Sequence, residues 1–367
     1  MREAQNGGLR TNPDNANWPK YRLFGLTLAS SFPFANRLVT AEGPADLSFA
    51  CVAKPPCTAR WKQSDPVYAS LAKNAKGQSW LYLYRQPDYE VLHYPDVADF
   101  YLGSKDIICQ PLNSWPRHVI EIRLLGTVMS YCLERRGVPM LHASAVVVGG
   151  QAVAFLATNS GGKSSLAASL MKLGHPLLTD DLLPVQSGHE TFLGCAGYPQ
   201  MRMWPDQAEY FLGHYEDLDQ VHPAYSKRRV PVGPDGLGLF CASPHPLARF
   251  YLPERRNPDE FGREIEITPL RGSQAMIEFV RNSFAARLVE QAGLQPERMK
   301  TLARMARQVP VHRIAYPSGV EHLARVRKAI LADLATTPEL RPTGNPVLAW
   351  KNSLARRGEP GSALTFG

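Results

Sequence analysis

The run Ala157-Thr158-Asn159-Ser160-Gly161-Gly162-Lys163-Ser164 contains the residue types that cradle phosphate. Backbone amides in a glycine-rich turn point at phosphate oxygens, a lysine spans them, and a hydroxyl reaches a bound magnesium ion. The spacing is that of G-x-x-x-x-G-K-[ST], except that Ala157 stands at the first glycine. That position accepts a methyl when its backbone stays near the β region. An apolar strand, Ala152 to Leu156, runs into the turn and a helix-forming run, Ser165 to Leu173, leaves it. Strand before and helix after are the context the motif needs, and the helix N-terminus adds partial positive charge. Asp180-Asp181 closes the next apolar strand, where carboxylate oxygens suit Mg²⁺ carried on a nucleotide's phosphates. Successive strand residues face opposite ways, so one carboxylate serves the metal and its neighbour the acceptor hydroxyl. These residues predict a nucleotide site.

Phosphoryl transfer needs positioning and charge neutralisation more than covalent chemistry. Amides from Asn159 to Lys163 are expected on the β-phosphate, with Lys163 spanning β and γ and Ser164 on the metal. His142 lies near the start of a strand expected from Met140 to Val148, which turns at Gly149-Gly150 into the strand feeding the loop. That pairing brings His142 to the phosphate end, as a participant or as a structural histidine. In Arg202-Met203-Trp204-Pro205-Asp206, Arg202 and Asp206 are candidates for phosphate and metal, or Trp204-Pro205 is a packing corner. Lys227-Arg228-Arg229 is expected in a loop, either as a clamp on the transferring phosphate or as a solvated charge run.

The elements that must position these groups are legible in outline. Residues 1–19 are rich in Asn, Gly and Pro and are expected to be disordered. Residues 20–112 alternate apolar and polar residues, as a small antiparallel sheet domain does. In it His93 reads as a partly buried sheet histidine. From about 113 the period becomes helical, with one apolar stripe through Ile120, Ile122, Leu125, Val128, Met129 and Cys132 and Gly137 as a C-cap. Residues 113–336 read as the P-loop domain, closed by helices near 272–292 and 296–308, a strand VHRIAYP and a helix over 319–335. Residues 337–367 read as a flexible tail.

The length of 367 residues suits two domains, or one large domain with an appendage. The net charge of +8 invites a nucleic-acid reading, but the basic residues are scattered and not interleaved with aromatics, which argues against one. The six cysteines show no C-x-x-C pair or metal spacing and read as buried or neutral thiols in a reducing compartment. Without an apolar leader or a membrane-length run, the expectation is a cytoplasmic protein with no membrane partner.

LHASAV, the P-loop strand, GKSSLAASL, the strand ending LLTDD and RMWPD together resemble the HPr-kinase/phosphorylase-like kinases. Within that superfamily they are most similar to kinases encoded with lasso-peptide and related ribosomal-peptide biosynthesis. YRLFGLTLASSFPF, RMWPDQAEYFLG and VPVHRIAYPSGVEHL extend the resemblance over roughly residues 20 to 335. It implies an α/β fold, with a PEP-carboxykinase-like, HPr-kinase-like P-loop domain and a smaller, mainly β N-terminal domain. It implies ATP and Mg²⁺ as cofactors and transfer of the γ-phosphoryl to a serine hydroxyl, in the lasso-peptide branch the C-terminal serine of the precursor. The partner is then a peptide or protein carrying that serine, and the superfamily's habit of assembly implies a homo-oligomer.

Carried over by position, Lys163 and Ser164 contact phosphate and Mg²⁺, Asp180 is the base, Asp181 the metal-side carboxylate and His142 their partner. Asn159, Ser160, Gly161, Gly162, Ser165, Arg202 and Arg229 complete the nucleotide-binding set, and Asp206 joins the metal. Ala157 and Asn159-Ser160 depart from the family's usual residues, which bears on nucleotide preference. A recognition segment for the HPr protein is not apparent, which argues against that substrate and against phosphorylase activity. A kinase for another protein or small hydroxyl compound, and a nucleotide-binding regulator without chemistry, are the alternative readings.

Overall fold

Tyr21-Arg22-Leu23 and Leu26-Thr27-Leu28 pair across a two-residue turn at Phe24-Gly25, where both residues have positive φ, +55° and +80°. That mirror-image turn matches the twist of the strands it joins, and the hairpin starts a computed structural model whose described residues are 17–336. Residues 58–59, 159–160, 189, 223–224, 258, 260–261 and 263 are excepted. The expected disordered start to residue 16 and the tail from 337 lie outside the described residues, as do Asn159 and Ser160 of the P-loop.

The chain forms two compact units. One gathers Met1–Cys132, Gly197–Gly236 and Phe284–Glu297, the other Leu133–Ala196, Leu237–Ser283 and Arg298–Gly367. This differs from a linear division at residue 112, because strand pairing and packing, not order along the chain, decide which segments share a unit.

The first unit holds a mixed sheet in the order β3-β1-β2-β4-β9-β8-β7-β6-β5. Its strands are β1 (Lys20–Leu23), β2 (Leu26–Ser30), β3 (Val39–Thr40), β4 (Leu47–Cys51), β5 (Tyr68–Ala69), β6 (Tyr82–Arg85), β7 (Glu90–Tyr94), β8 (Ala98–Leu102) and β9 (Asp106–Pro111). The antiparallel expectation fails at β2–β4 and β4–β9, which are parallel. Alternating burial specifies which face is covered and leaves the partner's direction open. One face buries Trp61 with Tyr89, Val91, Tyr101 and Ile108, and His93 donates from the sheet to buried Asp99 at 2.5 Å.

The helix expected from about 119 to a cap at Gly137 is two, α1 (Arg117–Arg123) and α2 (Met129–Glu134), joined by a π-helical turn at Leu124–Val128 in which Gly126 leaves helical φ/ψ. Glycine is the residue that admits such a turn at least cost. The first unit also carries β16 (Gln200–Met203), β17 (Gln220–His222) and β18 (Tyr225–Pro231) as a small sheet, with α4 (Pro205–Leu212) starting on a proline. Lys227-Arg228-Arg229 therefore lies in a strand and not in the expected loop. Arg228 and Arg229 pair with Met203 and Arg202, and the ladder's backbone hydrogen bonds hold a charged strand that composition alone reads as solvated.

The second unit is built on β10 (Met140–Leu141), β11 (Ala143–Val148), β12 (Gln151–Leu156), β13 (Leu177–Thr179), β14 (Leu183–Ser187), β15 (Phe192–Gly194), β19 (His245–Arg256), β20 (Glu266–Pro269) and β21 (Val311–Pro317). The sheet runs β10-β14-β15-β19-β12-β11-β13, with β21 on β19 and β20 on β21. The strand expected from Met140 to Val148 breaks at His142: Leu141 pairs with β14 while Ala143 pairs with β12. The helices are α3 (Lys163–Met171), α5 (Gly272–Arg281), α6 (Ala286–Gln291), α7 (Gln295–Gln308) and α8 (Leu323–Leu334), of which α6 and the start of α7, to Glu297, fall in the first unit. The helix expected over 272–292 is interrupted where Ala285 takes φ +51°. Both β11 and β12 are buried along nearly their whole length, and α3 packs on them. Strands covered on both faces read as continuous apolar runs.

Glu134 and Arg298 are fully buried in this unit, 3.1 Å apart, and Glu134 Oε1 also accepts the Met140 N–H at 2.9 Å. Burial pushes the Glu134 carboxyl up to about 7 against the pull of Arg298. A carboxyl held above its ordinary 4.5 binds its proton more tightly when folded. Its stabilisation is therefore complete at acid pH and is lost as pH rises to about 7. Urea midpoints measured at several pH values should show the wild type losing stability relative to Glu134→Gln between pH 4.5 and 7.

Candidate functional site

Three strands run parallel in the second unit: β12 beside β19, and β19 beside β21. Their C-terminal ends carry the loop from Ala157, then Arg255-Arg256, then Tyr316-Pro317-Ser318. The crevice beyond the carboxyl ends of parallel strands is where α/β sheets bind ligands. Here that edge is rimmed by the glycine turn and two arginines.

Gly162 caps α3 with φ +89°, a conformation that leads the chain from the strand into the helix and that side chains rarely adopt. A Cβ on Gly162 would lie 2.8 Å from the Tyr316 hydroxyl and 3.7 Å from Cδ of Arg255. A Cβ on Gly161 would lie 2.4 Å from Cβ of Ala157. The methyl that replaces the motif's first glycine thus takes space left by Gly161, which is the physical account of that departure. Lys163 is buried, and its ammonium donates to the carbonyls of Ala157 at 2.7 Å and Thr158 at 3.1 Å. The charge is kept inside the turn by the turn's own backbone.

Ser164, one residue on, donates to Asp180 Oδ1 at 2.9 Å. Ser144, fully buried on β11, donates to the same oxygen. Asp180 is itself buried at the end of β13. Asp181, the next residue, takes φ +74°, a region that aspartate enters more readily than most residues. Its Oδ1 is 3.1 Å from Nε2 of His142, and since a carboxylate only accepts, that nitrogen carries the proton. The break at His142 positions the ring, with the His142 N–H donating to Asn282 O at 2.7 Å. The reversal at the acidic pair is closed by Leu182 N–H to Asp180 O at 3.0 Å and Thr179 Oγ1 to Leu182 O at 2.6 Å.

The structure thus brings together Gly161, Gly162, Lys163, Ser164, Asp180, Asp181 and His142, with Ser165 in the first turn of α3. The partnering expected of Ser164 falls on Asp180, and His142 meets Asp181. Arg202 and Arg229 are cross-strand partners in the first unit. They line a cavity with room for about one water beside Asn36, His118 and Tyr198. Arg202 donates to the Tyr198 hydroxyl at 3.2 Å and Arg229 to Asp219 at 3.0 Å. Asp206 is in the first turn of α4 in that unit.

Sequence reasoning missed Ser144, Arg255 and Tyr316. Arg255 and Arg256 line an open depression of about 500 Å³ with Gly161, Pro253, Asn257 and Ser318. Arg256 is held by Glu254 and Glu266, each at 3.1 Å. Burial pushes the Tyr316 phenol up to about 12 despite the opposing Arg255 charge, so it stays a neutral donor at neutral pH. The only signal for these arginines was a basic pair at the end of an apolar run; its register beside the P-loop strand is not written in the sequence.

Mg²⁺ takes one or two protein oxygens, with phosphates and water completing its shell. Ser164 and Asp180, an adjacent hydroxyl and carboxylate beside the glycine-rich turn, fit that donor set. No group of three or more His, Cys, Asp or Glu side chains placed to hold a metal occurs among the described residues. This hard-oxygen pair does not require one.

No family model matches the chain, and no curated protein does. Among solved structures the chain is similar to the HPr(Ser) kinase/phosphatase from Coxiella burnetii, at 12% identity over 53% of this chain and 97% of that one, with a TM-score of 0.27. Among the described residues no helix is long and apolar enough to cross a membrane.

Gly162→Ala should destabilise the second unit by at least about 1–2 kcal/mol from the left-handed backbone alone. Thermal or urea unfolding checks this, and adding Tyr316→Phe should recover only the part due to the clash with the hydroxyl.

Proposed function

We propose that this site is the phosphoryl-transfer centre of a kinase that uses ATP and Mg²⁺ and phosphorylates a serine hydroxyl. The observation that carries the reading is the Ser164–Asp180 contact directly after the Gly162–Lys163 helix start. A P-loop hydroxyl beside a strand-end carboxylate is the pairing a nucleotide-borne metal requires.

In this reading α3 presents its N-terminus and the Lys163 ammonium to the triphosphate, and both favour negative charge there. Ser164 and Asp180 would hold the Mg²⁺, which neutralises charge on the β- and γ-phosphates when bound. Asp180, already accepting from two hydroxyls, is the metal-side carboxylate. Asp181 and His142 then face the acceptor, with Asp181 taking the serine proton and His142 orienting its carboxylate. That assignment exchanges the roles that resemblance alone gave the two aspartates, because Ser164 selects Asp180 and His142 selects Asp181. Arg255 adds a positive charge at the same rim. Arg202, Arg229 and Asp206 keep their proposed contacts with phosphate and metal only as an expectation from sequence.

The resemblance to lasso-peptide kinases makes the acceptor a peptide serine, the C-terminal residue of a ribosomal precursor. A cytoplasmic place follows from the supply of ATP, and a homo-oligomer remains part of the proposal.

Purified protein, γ-labelled ATP and size-fractionated host extract test the reading. Label on serine in a small peptide is the expected outcome. Label in a large protein would move the acceptor to another class, and no label despite ATP binding would make the protein a nucleotide-binding regulator. Lys163→Ala and Asp180→Asn should each lower transfer by at least about 10²-fold with unfolding midpoints near wild type. Asp181→Asn should lower kcat while leaving ATP affinity unchanged; loss of ATP binding in that variant would return the metal role to Asp181.

A further inference from the structure

At the opposite end of β12 from the P-loop, a cysteine and a histidine are joined in a way that phosphoryl transfer does not use. Cys241 Sγ is 3.1 Å from Nε2 of His245, and Nδ1 of His245 is 2.9 Å from the carbonyl oxygen of Gly150. A carbonyl only accepts, so Nδ1 carries a proton and the lone pair of the neutral ring sits on Nε2, facing sulfur. Nucleophile, base and a third group that orients the base form the arrangement that activates a weak nucleophile. The thiol's other neighbour, the Ser243 carbonyl, is at 3.8 Å, so His245 is the nearer acceptor.

Three parts of the fold hold the pair in place. Gly150 closes the turn between β11 and β12, where φ is +57° at Gly149 and +79° at Gly150. His245 begins β19, which pairs with β12 from Ala152↔Leu247 onward. The backbone around Cys241 is pinned to β13, with Cys241 N–H donating to Leu177 O and Leu177 N–H to Leu239 O, each at 2.8 Å. Cys241 is partly exposed, so small reagents reach it.

We propose that Cys241 is a base-activated thiol that reacts with peroxides, with His245 as its base and the Gly150 carbonyl as the orienting group. The thiol proton passes to Nε2, giving a thiolate beside an imidazolium. Sulfur attacks one peroxide oxygen, an S–O bond forms, and the O–O bond breaks. The imidazolium returns its proton to the departing oxygen, so hydrogen peroxide gives water and a cysteine sulfenic acid. Sulfur is oxidised and the peroxide reduced.

The electrostatics agree with this geometry. Burial raises the Cys241 thiol, but its hydrogen bond with His245, the contact with the Ser243 backbone and the ring's charge together outweigh that and leave it below the ordinary value. The hydrogen bond with Cys241 holds the His245 ring above its own ordinary value, against burial. Cys57, also partly exposed, is raised by burial, which makes it a comparator within the same chain.

The test uses the full-length chain and reads each cysteine separately by peptide mass spectrometry. Iodoacetamide pulses across pH 5.5–9.5 should show Cys241 reaching its maximal rate at lower pH than Cys57. His245→Gln should move the Cys241 profile upward and slow its labelling at neutral pH about tenfold. Hydrogen peroxide with dimedone should place the adduct on Cys241 in wild type and much less in His245→Gln. Thiolate absorbance at 240 nm, taken as the difference between wild type and Cys241→Ser, gives the ionisation without any change at His245. A Cys241 profile matching that of Cys57, or no dimedone adduct at Cys241, would overturn the proposal. None of these readouts depends on phosphoryl transfer.

Discussion

A single oxygen organises the glycine-turn end of the second unit. Asp180 Oδ1 accepts from Ser144 on β11 and Ser164 on α3 while Asp180 itself ends β13. Three elements are thereby fixed at one point within hydrogen-bond tolerance, about half an ångström. A buried carboxylate without partners is costly, and two hydroxyl donors offset that cost. β11 stands between β12 and β13 in the sheet, so the strand supplying Ser144 also sets the separation between the loop strand and the acidic strand.

From that point the rest of the site follows by local geometry. Ser164 can reach Asp180 only if α3 begins abruptly after β12, and Gly162 provides the sharp entry through its positive φ. The Lys163 ammonium is then close enough to the turn to bond its carbonyls. The acidic pair divides because the chain reverses at Asp181, turning its carboxylate toward His142. One aspartate is buried among hydroxyls and the other is half-buried beside an imidazole.

The same sheet separates two kinds of chemistry along its length. At the C-terminal ends of β12, β19 and β21 lie hard oxygens, a lysine and arginines, which suit phosphate. At the N-terminal ends of β12 and β19, Gly150 and His245 surround a soft nucleophile. β12 and β19 pair in parallel, and this alignment assembles both ends at once.

The sequence by itself determined the local pieces: the P-loop turn, the helix after it, the acidic pair, and the apolar strands that flank them. Each is written in consecutive residues, as side-chain periodicity or as glycine at a backbone position only glycine takes easily. It also named His142, since a strand that turns back into the P-loop strand pairs antiparallel with it and so begins beside the loop. Tertiary structure alone decided which aspartate meets which partner. Ser144, Ser164 and His142 are far from residues 180–181 in the chain, and only the β11–β12 and β11–β13 registers bring them there. It also decided that Arg255 and Tyr316 stand at the rim and that Cys241 has a base. Pairing direction and register in a sheet depend on long-range hydrogen bonds and shared burial, and a run of buried apolar residues gives no local sign of which strand will lie beside it.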